Sequence, residues 1–370
     1  MSSFRAPARL STLAAVAAAA VLAACGGGSS APAAAPSSTT SAAPASSTGA
    51  ATRTTYPLTI DNCGVKLTFT QAPKRVVILN GTSVAEVESF LVLGLEGTIV
   101  ANAQSYGVSD DPTMVERIKA VPTGDLKMNK NFDVPAEQVL ALKPDLVVST
   151  WSGGFDGKLG FATREQLSAA GSNTLVPAVN CANGKPDATA EEKAAYANAS
   201  VTSAFDFITL LGQVFDVQDK AAATVAELQG RLDAVAQKVQ GKPVKSALIA
   251  FPGMSMMTST GVPAVFAGGV YDDIVKRAGG VNAFAGKDNA ALRDINTEAL
   301  SAAKVDVLAT GTFTPQEKPE VEAAKILKQF PSWEASKTNT FVTISDGAYI
   351  GPSIVFGVEK LAKAMHPDAF

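Results

Sequence analysis

The chain has 370 residues, of which 46% are hydrophobic and 18% are charged, and its formal net charge is −3. A protein that binds nucleic acid needs clustered lysine and arginine to neutralise phosphates, and no such stripe is present, which argues against nucleic acid as a partner. His366 is the only histidine, so a zinc or manganese site made of several histidines is excluded.

The N-terminus has the features of an export signal. Arg5 and Arg9 precede an apolar run at residues 13–20, which is too short to span a membrane. Leu-Ala-Ala at residues 22–24, followed by Cys25, resembles the bacterial lipobox. The resemblance implies that residues 1–24 are a lipoprotein signal peptide and that Cys25 carries the lipid that anchors the protein outside the cell membrane. The alternative is a plain secretory signal with an incidental cysteine.

Residues 25–55 form the next segment, which is almost entirely Gly, Ser, Thr, Ala and Pro after the cysteine. Such a segment cannot bury enough apolar surface to offset its backbone entropy, so we expect a disordered tether. The remainder is long enough for two lobes. We predict a first α/β lobe at residues 56–200, a linking helical segment at 201–241 and a second α/β lobe at 242–370.

Two cysteines remain once Cys25 is assigned to the lipid. Cys63 and Cys181 would lie in a compartment that permits disulfides, so we expect them to be paired. Two separate buried thiols are the alternative. Neither cysteine lies in a Cys-x-x-Cys sequence, so the expected bridge is structural.

Short apolar runs, rich in β-branched residues, alternate with helical patterns along the chain. Strands are predicted at residues 75–80, 98–103, 145–150, 174–179, 246–251, 306–310 and 340–344. This alternation predicts two α/β lobes with largely parallel sheets. Between the two sets lies the longest helical pattern, at residues 205–215 and 225–235, with a break near 216–218.

One segment of the chain is repeated. Residues 133–147 and 294–308 share aspartate at their start, glutamate at Glu137 and Glu298, and aspartate again at Asp145 and Asp306. Each copy begins a helix and then enters a strand, because Pro135 and Thr297 suit the first turns. The repeat predicts two lobes of similar architecture that face each other.

Ligands of such sheets bind outside the carboxyl ends of the strands, which defines a set of candidate ligand-binding residues. Arg293 joins the set because it directly precedes the second repeat, and each aromatic member has the alternative of packing within its own lobe. The candidates are Asn80, Thr82, Tyr106, Trp151, Phe155, Met254, Met256, Arg293, Phe313 and Tyr349.

Three phrases carry a family resemblance: Ala-Pro-Lys-Arg-Val-Val at residues 72–77, Ala-Leu-Lys-Pro-Asp-Leu-Val at 141–147 and Gly-Gly-Val-Asn at 279–282. With the lipobox and tether, they resemble the substrate-binding proteins of the ABC importers for iron-siderophores, haem and vitamin B12. The resemblance implies two lobes joined by one long helix, with a ligand cleft between them and little closing motion. It also implies that Glu137 and Glu298 dock onto arginines of the permease, whereas the alternative is a role in stabilising the helix dipole.

The resemblance leaves the ligand open among ferric siderophores, haem and cobalamin. The single histidine weakens haem, although Tyr271 or Tyr349 could ligate iron. A ferric siderophore suits the aromatic candidates, with Arg293 or Arg164 for negative charge on the chelate and the methionines as a pliable wall. Cobalamin is the next alternative.

An enzymatic function is not expected. Ser301 and Lys304 match the Ser-x-x-Lys pattern of penicillin-binding enzymes, but neither Ser-Asp-Asn nor Lys-Thr-Gly accompanies them. An exported serine hydrolase is therefore a remote alternative, and a lipoprotein that serves adhesion or signalling with this fold stays open. We expect a monomer without a resident cofactor or metal, whose partners are the small ligand and the permease.

Overall fold

The computed structural model describes residues 53–80, 83–104, 108–130, 133–287, 289–345 and 349–370. The predicted signal peptide and Cys25 lie outside the described residues, as do Thr82 and Tyr106. The strands of the described part are β1 (Leu58–Asn62), β2 (Val65–Phe69), β3 (Val76–Ile78), β4 (Ile99–Asn102), β5 (Leu146–Val148), β6 (Asn173–Leu175), β7 (Lys245–Phe251), β8 (Ala264–Phe266), β9 (Gly280–Asn282), β10 (Val307–Thr312) and β11 (Phe341–Ser345).

The helices complete the two layers of each sheet. In chain order they are α1 (Ala85–Val92), α2 (Pro112–Ala120), α3 (Ala136–Ala141), α4 (Arg164–Ala169), α5 (Ala190–Ala197), α6 (Ser203–Val214), α7 (Gln218–Val239), α8 (Gly269–Arg277), α9 (Asn289–Arg293), α10 (Thr297–Ala302), α11 (Pro319–Gln329), α12 (Glu334–Thr338) and α13 (Ile354–Met365). Within the described ranges, none of these helices is both long enough and apolar enough to cross a membrane.

Two separate sheets confirm the predicted fold class. The first has the order β4-β3-β5-β6 and is parallel throughout. The second has the order β11-β10-β7-β8, with β9 also paired to β7, and only β8 runs antiparallel. An antiparallel hairpin, β1-β2, precedes the first sheet and was not predicted, nor were the short strands β8 and β9.

The linking segment consists of two helices rather than one. The chain turns between α6 and α7, where Asp216 has a φ of 57°. The two helices then pack closely, because a Cβ at Gly212 would lie only 2.5 Å from that of Ala221. The longer helix, α7, has 22 residues and buries Leu228, Leu232 and Val235 on one face. This geometry agrees with the predicted break and with the predicted long connection.

Each sheet is buried on both faces, and one face of both sheets shares a single apolar cluster. Val76 and Ile78 of β3 lie in that cluster together with Ile249 of β7 and Leu232 of α7. The alternate residues of the same strands, such as Val77, lie in smaller clusters on the outer faces. The lobes are therefore joined by continuous apolar packing as well as by the linking helices.

The sequence repeat has a structural basis in its second aspartate. The Asp145 carboxylate accepts hydrogen bonds from the backbone N–H groups of Lys74 and Arg75, at 2.8 and 2.9 Å, just before β3. The Asp306 carboxylate accepts the same kind of bond from Ser246 at 2.8 Å, next to the start of β7. Each aspartate thus fixes the start of the strand beside its own.

Candidate ligand-binding cleft between the lobes

The carboxyl edges of the two sheets meet through hydrogen bonds between the lobes. The Tyr349 hydroxyl, which follows β11, donates to Oδ1 of Asn180, which follows β6, at 2.9 Å. The backbone N–H of Ser345 donates to the Asp110 carboxylate at 3.0 Å, and Lys360 Nζ lies 2.6 Å from the same carboxylate. The loops that leave the strands are thus brought together, as the strand-end rule requires.

A buried polar network of the first lobe holds the Asn180 side chain. It is fully buried, and its amide nitrogen donates to the backbone oxygen of Thr150 at 2.7 Å. The Thr150 hydroxyl and the Gln104 amide both donate to Oε2 of Glu86, at 2.6 and 2.7 Å. Burial raises the pKa of Glu86, while these two hydrogen bonds act in the opposite direction. The network fixes the orientation of the Asn180 side chain toward the second lobe.

A series of aromatic rings extends from the second sheet to this point. The ring centroids of Phe251 and Phe266 lie 5.1 Å apart, and those of Phe266 and Tyr271 lie 4.9 Å apart. Tyr271 stacks on Tyr349 at 6.0 Å, with an angle of 29° between the planes. Edge-to-face, tilted and stacked ring pairs of this kind add to the energy of burial and hold each ring in place. The second lobe therefore offers a preorganised aromatic wall beside Asn180.

A further tyrosine reaches the same position from the first lobe. The Tyr196 hydroxyl, near the end of α5, lies close enough to the Tyr349 hydroxyl for each to affect the pKa of the other. Burial raises the pKa of Tyr196, and burial also raises the pKa of Tyr349 well above its usual value, with added effects of Tyr196, Tyr271 and Glu86. Both phenols are therefore neutral at physiological pH.

Trp151 is partly exposed and lies against the glycines of its own lobe. A Cβ at Gly153 would come within 2.2 Å of the indole ring, and one at Gly184 within 2.5 Å, so only glycine fits at these two positions. The Trp151 loop is bonded to the loop that carries Asn180, because Gly153 N donates to Asn183 O at 3.1 Å. The indole and Asn180 thus lie on two loops that are joined by a hydrogen bond.

The predicted disulfide anchors this pair of loops. Cys63 and Cys181 are bonded in the structure, which joins the turn of the β1-β2 hairpin to the loop directly after Asn180. The Ser152 hydroxyl donates to the backbone oxygen of Cys181 at 2.7 Å. Lys185 adds a hydrogen bond to the backbone oxygen of Cys63 at 3.1 Å. The bridge therefore has a direct connection to the candidate site.

The side chains of Phe155 and Arg164 make their contacts within the first lobe. Phe155 is buried in the outer cluster of that lobe, and the Arg164 guanidinium lies 5.0 Å from the centre of its ring. Arg164 also donates to the backbone oxygen of Asn62 at 2.9 Å. Burial lowers the pKa of Arg164 to about 10, so it stays charged at neutral pH. These contacts occupy both side chains away from Tyr349.

The remaining candidates of the second lobe lie around the loops after β7 and β10. Met254 and Phe313 are half-buried against the large apolar cluster. Met256 is 79% exposed in the turn that follows β7. Arg293 is exposed at the end of α9, and its backbone oxygen accepts a hydrogen bond from Ser259 N at 2.9 Å. Asn180, Tyr196 and Tyr349 are called the Tyr349 cluster below. The structure does not bring the side chains of Met256 and Arg293 to this cluster.

On the first lobe, Asn80 is buried at the end of β3. Its backbone N–H donates to the Asp133 carboxylate at 3.0 Å, and Asp133 is itself buried. Thr82 and Tyr106 would follow in the neighbouring loops but lie outside the described residues. Among the residues that the structure describes, no group of three or more His, Cys, Asp or Glu side chains is arranged to hold a metal ion.

Comparison with known proteins agrees with this arrangement. The sequence profile of the family described as periplasmic binding protein matches residues 76–348, which is most of the chain. The chain belongs to the periplasmic binding protein family. The family consists of substrate-binding proteins of extracytoplasmic location rather than enzymes. No curated protein matches the sequence.

Solved structures share the fold of this periplasmic binding protein at low sequence identity. A periplasmic binding protein from Veillonella parvula has a TM-score of 0.63 at 18% identity, covering 84% of this chain and 97% of its own. An ABC-type Fe³⁺-hydroxamate transport protein from Saccharomonospora viridis scores 0.60 at 21% identity, covering 84% and 99%. An apo periplasmic haem-binding protein from Roseiflexus scores 0.55 at 18% identity, covering 80% and 99%.

The two predicted docking residues have equivalent positions in this periplasmic binding protein. Glu137 lies in the first turn of α3 and Glu298 in the first turn of α10, and both are exposed. Within the described part of the chain, neither carboxylate forms an ion pair. The exposed pair is thus compatible with docking, which stays a prediction.

Two residues of the Tyr349 cluster were not among the sequence candidates. Asn180 directly follows the predicted strand at residues 174–179, so the strand-end rule applied to that strand would have identified it. Tyr196 lies on α5, and the end of this helix packs against the start of α8. A Cβ at Gly269 would lie 3.5 Å from the backbone oxygen of Tyr196. No local pattern in the sequence marks that tertiary contact.

Proposed function

We propose that this periplasmic binding protein captures a ferric siderophore-type chelate and delivers it to the permease of an ABC importer. The observation that carries the proposal is the junction of the two carboxyl edges, where Asn180 and the tyrosines at 196, 271 and 349 converge. Aromatic rings provide large contact areas at low entropic cost, and phenol and amide groups bind the oxygen atoms that surround chelated iron. Trp151 lies on a loop that is hydrogen-bonded to the loop of Asn180, so it can add a further aromatic contact.

Support for iron as the cargo comes from two fold relatives. One belongs to an Fe³⁺-hydroxamate transport system and another binds haem, according to their descriptions. Haem is the second candidate here, because Tyr271 and Tyr349 stack at the junction and a tyrosinate can ligate haem iron. The raised pKa of Tyr349 opposes this alternative, since ligation requires loss of the phenolic proton. Cobalamin is a third candidate, because an aromatic wall accepts it equally well.

Delivery requires contact with membrane partners. We propose that Glu137 and Glu298, one on each lobe, pair with arginines of the permease, because both are exposed and occupy equivalent first turns. We further propose that Cys25 carries a lipid which holds the protein at the membrane. Two or more acyl chains bind stably because each buried methylene contributes ~0.8 kcal/mol.

Tryptophan fluorescence gives the test of the proposed cargo. The chain has two tryptophans, Trp151 and Trp333, and Trp333 is buried with its indole N–H bonded to Leu300 O at 2.8 Å. A Trp333→Phe variant therefore reports on Trp151 alone. Titration of this variant with ferric siderophores, the iron-free siderophores, haem and cobalamin should give saturable quenching by a ferric siderophore. Tighter binding of haem or cobalamin, confirmed by native mass spectrometry, would refute the siderophore assignment.

A further inference from the structure

The junction between the lobes is rich in buried acidic groups. Glu86, Glu88, Asp110 and Asp133 of the first lobe are each exposed by 9% or less. Among them, Asp110 is paired with Lys360 at 2.6 Å. Of these carboxyls, Glu86 lies near enough to the Tyr349 hydroxyl to raise its pKa.

The Tyr349 cluster itself consists of uncharged groups, and the direction of the hydrogen bond between Tyr349 and Asn180 is fixed. Oδ1 of Asn180 can only accept, so Tyr349 donates its proton to Asn180. The Tyr196 hydroxyl lies close to the Tyr349 oxygen. When a ligand oxygen replaces Asn180 as the acceptor, the Tyr349 proton is donated to the ligand. The cluster is thus prepared to donate to a neutral acceptor.

In the described part of the chain, no cation is among the contacts of this cluster. Within the described residues, no hydrogen bond, ion pair or ring contact joins a lysine or arginine to Asn180, Tyr196 or Tyr349. Arg164 is held by Asn62 and Phe155, and Arg293 is exposed outside the cluster. A buried anion that has no compensating cation loses the favourable free energy of its hydration and gains no ion pair in exchange.

We propose that the Asn180–Tyr196–Tyr349 cluster selects the ligand by charge, accepting uncharged or cationic ferric chelates and rejecting anionic ones. This inference rests on the proposed function and specifies its substrate class. The chemical class that fits is a chelate whose three bidentate groups together neutralise the ferric charge, such as a tris-hydroxamate. A tris-catecholate of iron carries a net negative charge and does not fit.

A matched series of chelates tests the inference in the exported, full-length protein. The probes are one linear ferric tris-hydroxamate with a free terminal amine, its N-acetyl derivative and its N-succinyl derivative, which are cationic, neutral and anionic. The iron centre is the same in all three. We expect the succinyl derivative to bind weaker than the acetyl derivative by roughly tenfold or more, because one buried uncompensated charge costs at least that much. The difference should persist at high salt, since buried charges are little screened.

A pair of variants tests the location of the selectivity. Tyr196→Arg places a cation beside Tyr349, whereas Asn198→Arg places the same charge two residues further on, at an exposed site. We expect Tyr196→Arg to reduce the discrimination against the succinyl derivative by at least about fivefold, and Asn198→Arg to leave it unchanged. Equal effects of the two variants, or none, would overturn the assignment to this cluster.

The outcomes separate this inference from the proposed function. If all three chelates bind but the anionic one binds as well as the neutral one or better, charge selection is wrong and Arg293 becomes the candidate partner, while the siderophore function stands. If no chelate of the series binds, the proposed substrate class is wrong, and the titration with other ferric siderophores decides the siderophore function. Thermal unfolding of each variant checks that the substituted proteins are folded, and the wild-type series decides the charge preference without any substitution.

Discussion

Replacement of Glu88 by glutamine should stabilise the protein at neutral pH. Glu88 is completely buried in α1 and accepts a hydrogen bond from the backbone N–H of Ser353 in the second lobe, at 3.3 Å. Its carboxyl lines a cavity of about 250 Å³ where α1, α2, α7 and α13 meet. The charged residues that share this cavity are Asp111, Arg117, Glu227 and Arg231.

The expected magnitude follows from the protonation of this carboxyl. Burial raises the pKa of Glu88 from 4.5 to about 8, with a smaller contribution from Asp110 and opposing hydrogen bonds from Ser109 and Ser353. The folded protein therefore holds a proton that the unfolded chain has released at pH 7. Since each pH unit above 4.5 costs about 1.4 kcal/mol until the folded pKa is reached, the wild type loses on the order of 3 kcal/mol at pH 7.

The direction of the Glu88 pKa shift determines how the difference in stability should change with pH. The Glu88 contribution is most favourable below pH 4.5, declines as the pH rises and becomes constant above about pH 8. Urea unfolding of wild type and Glu88→Gln should therefore differ by about 1 kcal/mol or less near pH 5, by roughly 3 kcal/mol at pH 7 and by roughly 5 kcal/mol at pH 9. Glutamine keeps the acceptor for Ser353 N. The control is Glu116→Gln, whose side chain is 79% exposed. A difference that does not change with pH would refute the reasoning.

Three further predictions concern the site and its partners. Substitution of both Cys63 and Cys181 by serine should lower the free energy of unfolding by about 2–5 kcal/mol and weaken ligand binding, which chemical denaturation and calorimetry would measure; unchanged binding would show that the bridge does not hold the site. Trp151→Ala should cost ~2 kcal/mol of ligand affinity, about thirtyfold, and an affinity within twofold of wild type would remove this residue from the site. Glu137→Ala combined with Glu298→Ala should abolish uptake in cells while ligand affinity in calorimetry stays at the wild-type value; loss of ligand affinity would place these residues in the cleft instead.

Most of the fold could be predicted because its strands are strongly apolar and alternate with helical patterns. The repeat was informative for a physical reason, since Asp145 and Asp306 each fix the start of a neighbouring strand. The β1-β2 hairpin was missed although its sequence alternates between apolar and polar residues on both sides of a turn. Cys63 and Gly64 form that turn with φ of 58° and 81°. The short strands β8 and β9, with three residues each, carry too little pattern to be recognised.

The candidate site was predictable only in part. Trp151 and Tyr349 were predicted because they follow strands, and the same rule would have predicted Asn180; their role in binding stays a prediction. Tyr196 could not be found in this way, because a helix carries it and only the packing of α5 against the second lobe brings it to Tyr349. Phe155 follows a strand and yet is buried in its own lobe, since Arg164 stacks on its ring. The rule identifies the edge of the sheet but does not determine side-chain direction.

The way in which the lobes are joined limits how the ligand can enter. Arg231 of α7 forms two hydrogen bonds with Glu359 of α13, at 2.8 and 2.7 Å, and its guanidinium lies 3.8 Å from the centre of the Phe356 ring. These contacts fix the linking helix along the second lobe, and the apolar cluster shared by both sheets fixes the lobes to each other. A wide hinge motion would expose that cluster to water, at about 25 cal/mol for each Å² of apolar surface. Moving the Tyr349 side chain breaks its bond to Asn180, at about 1 kcal/mol net, and its stacking on Tyr271, at about 1 kcal/mol more. Local displacement of Tyr349 by the ligand is therefore the less costly way to open the cleft.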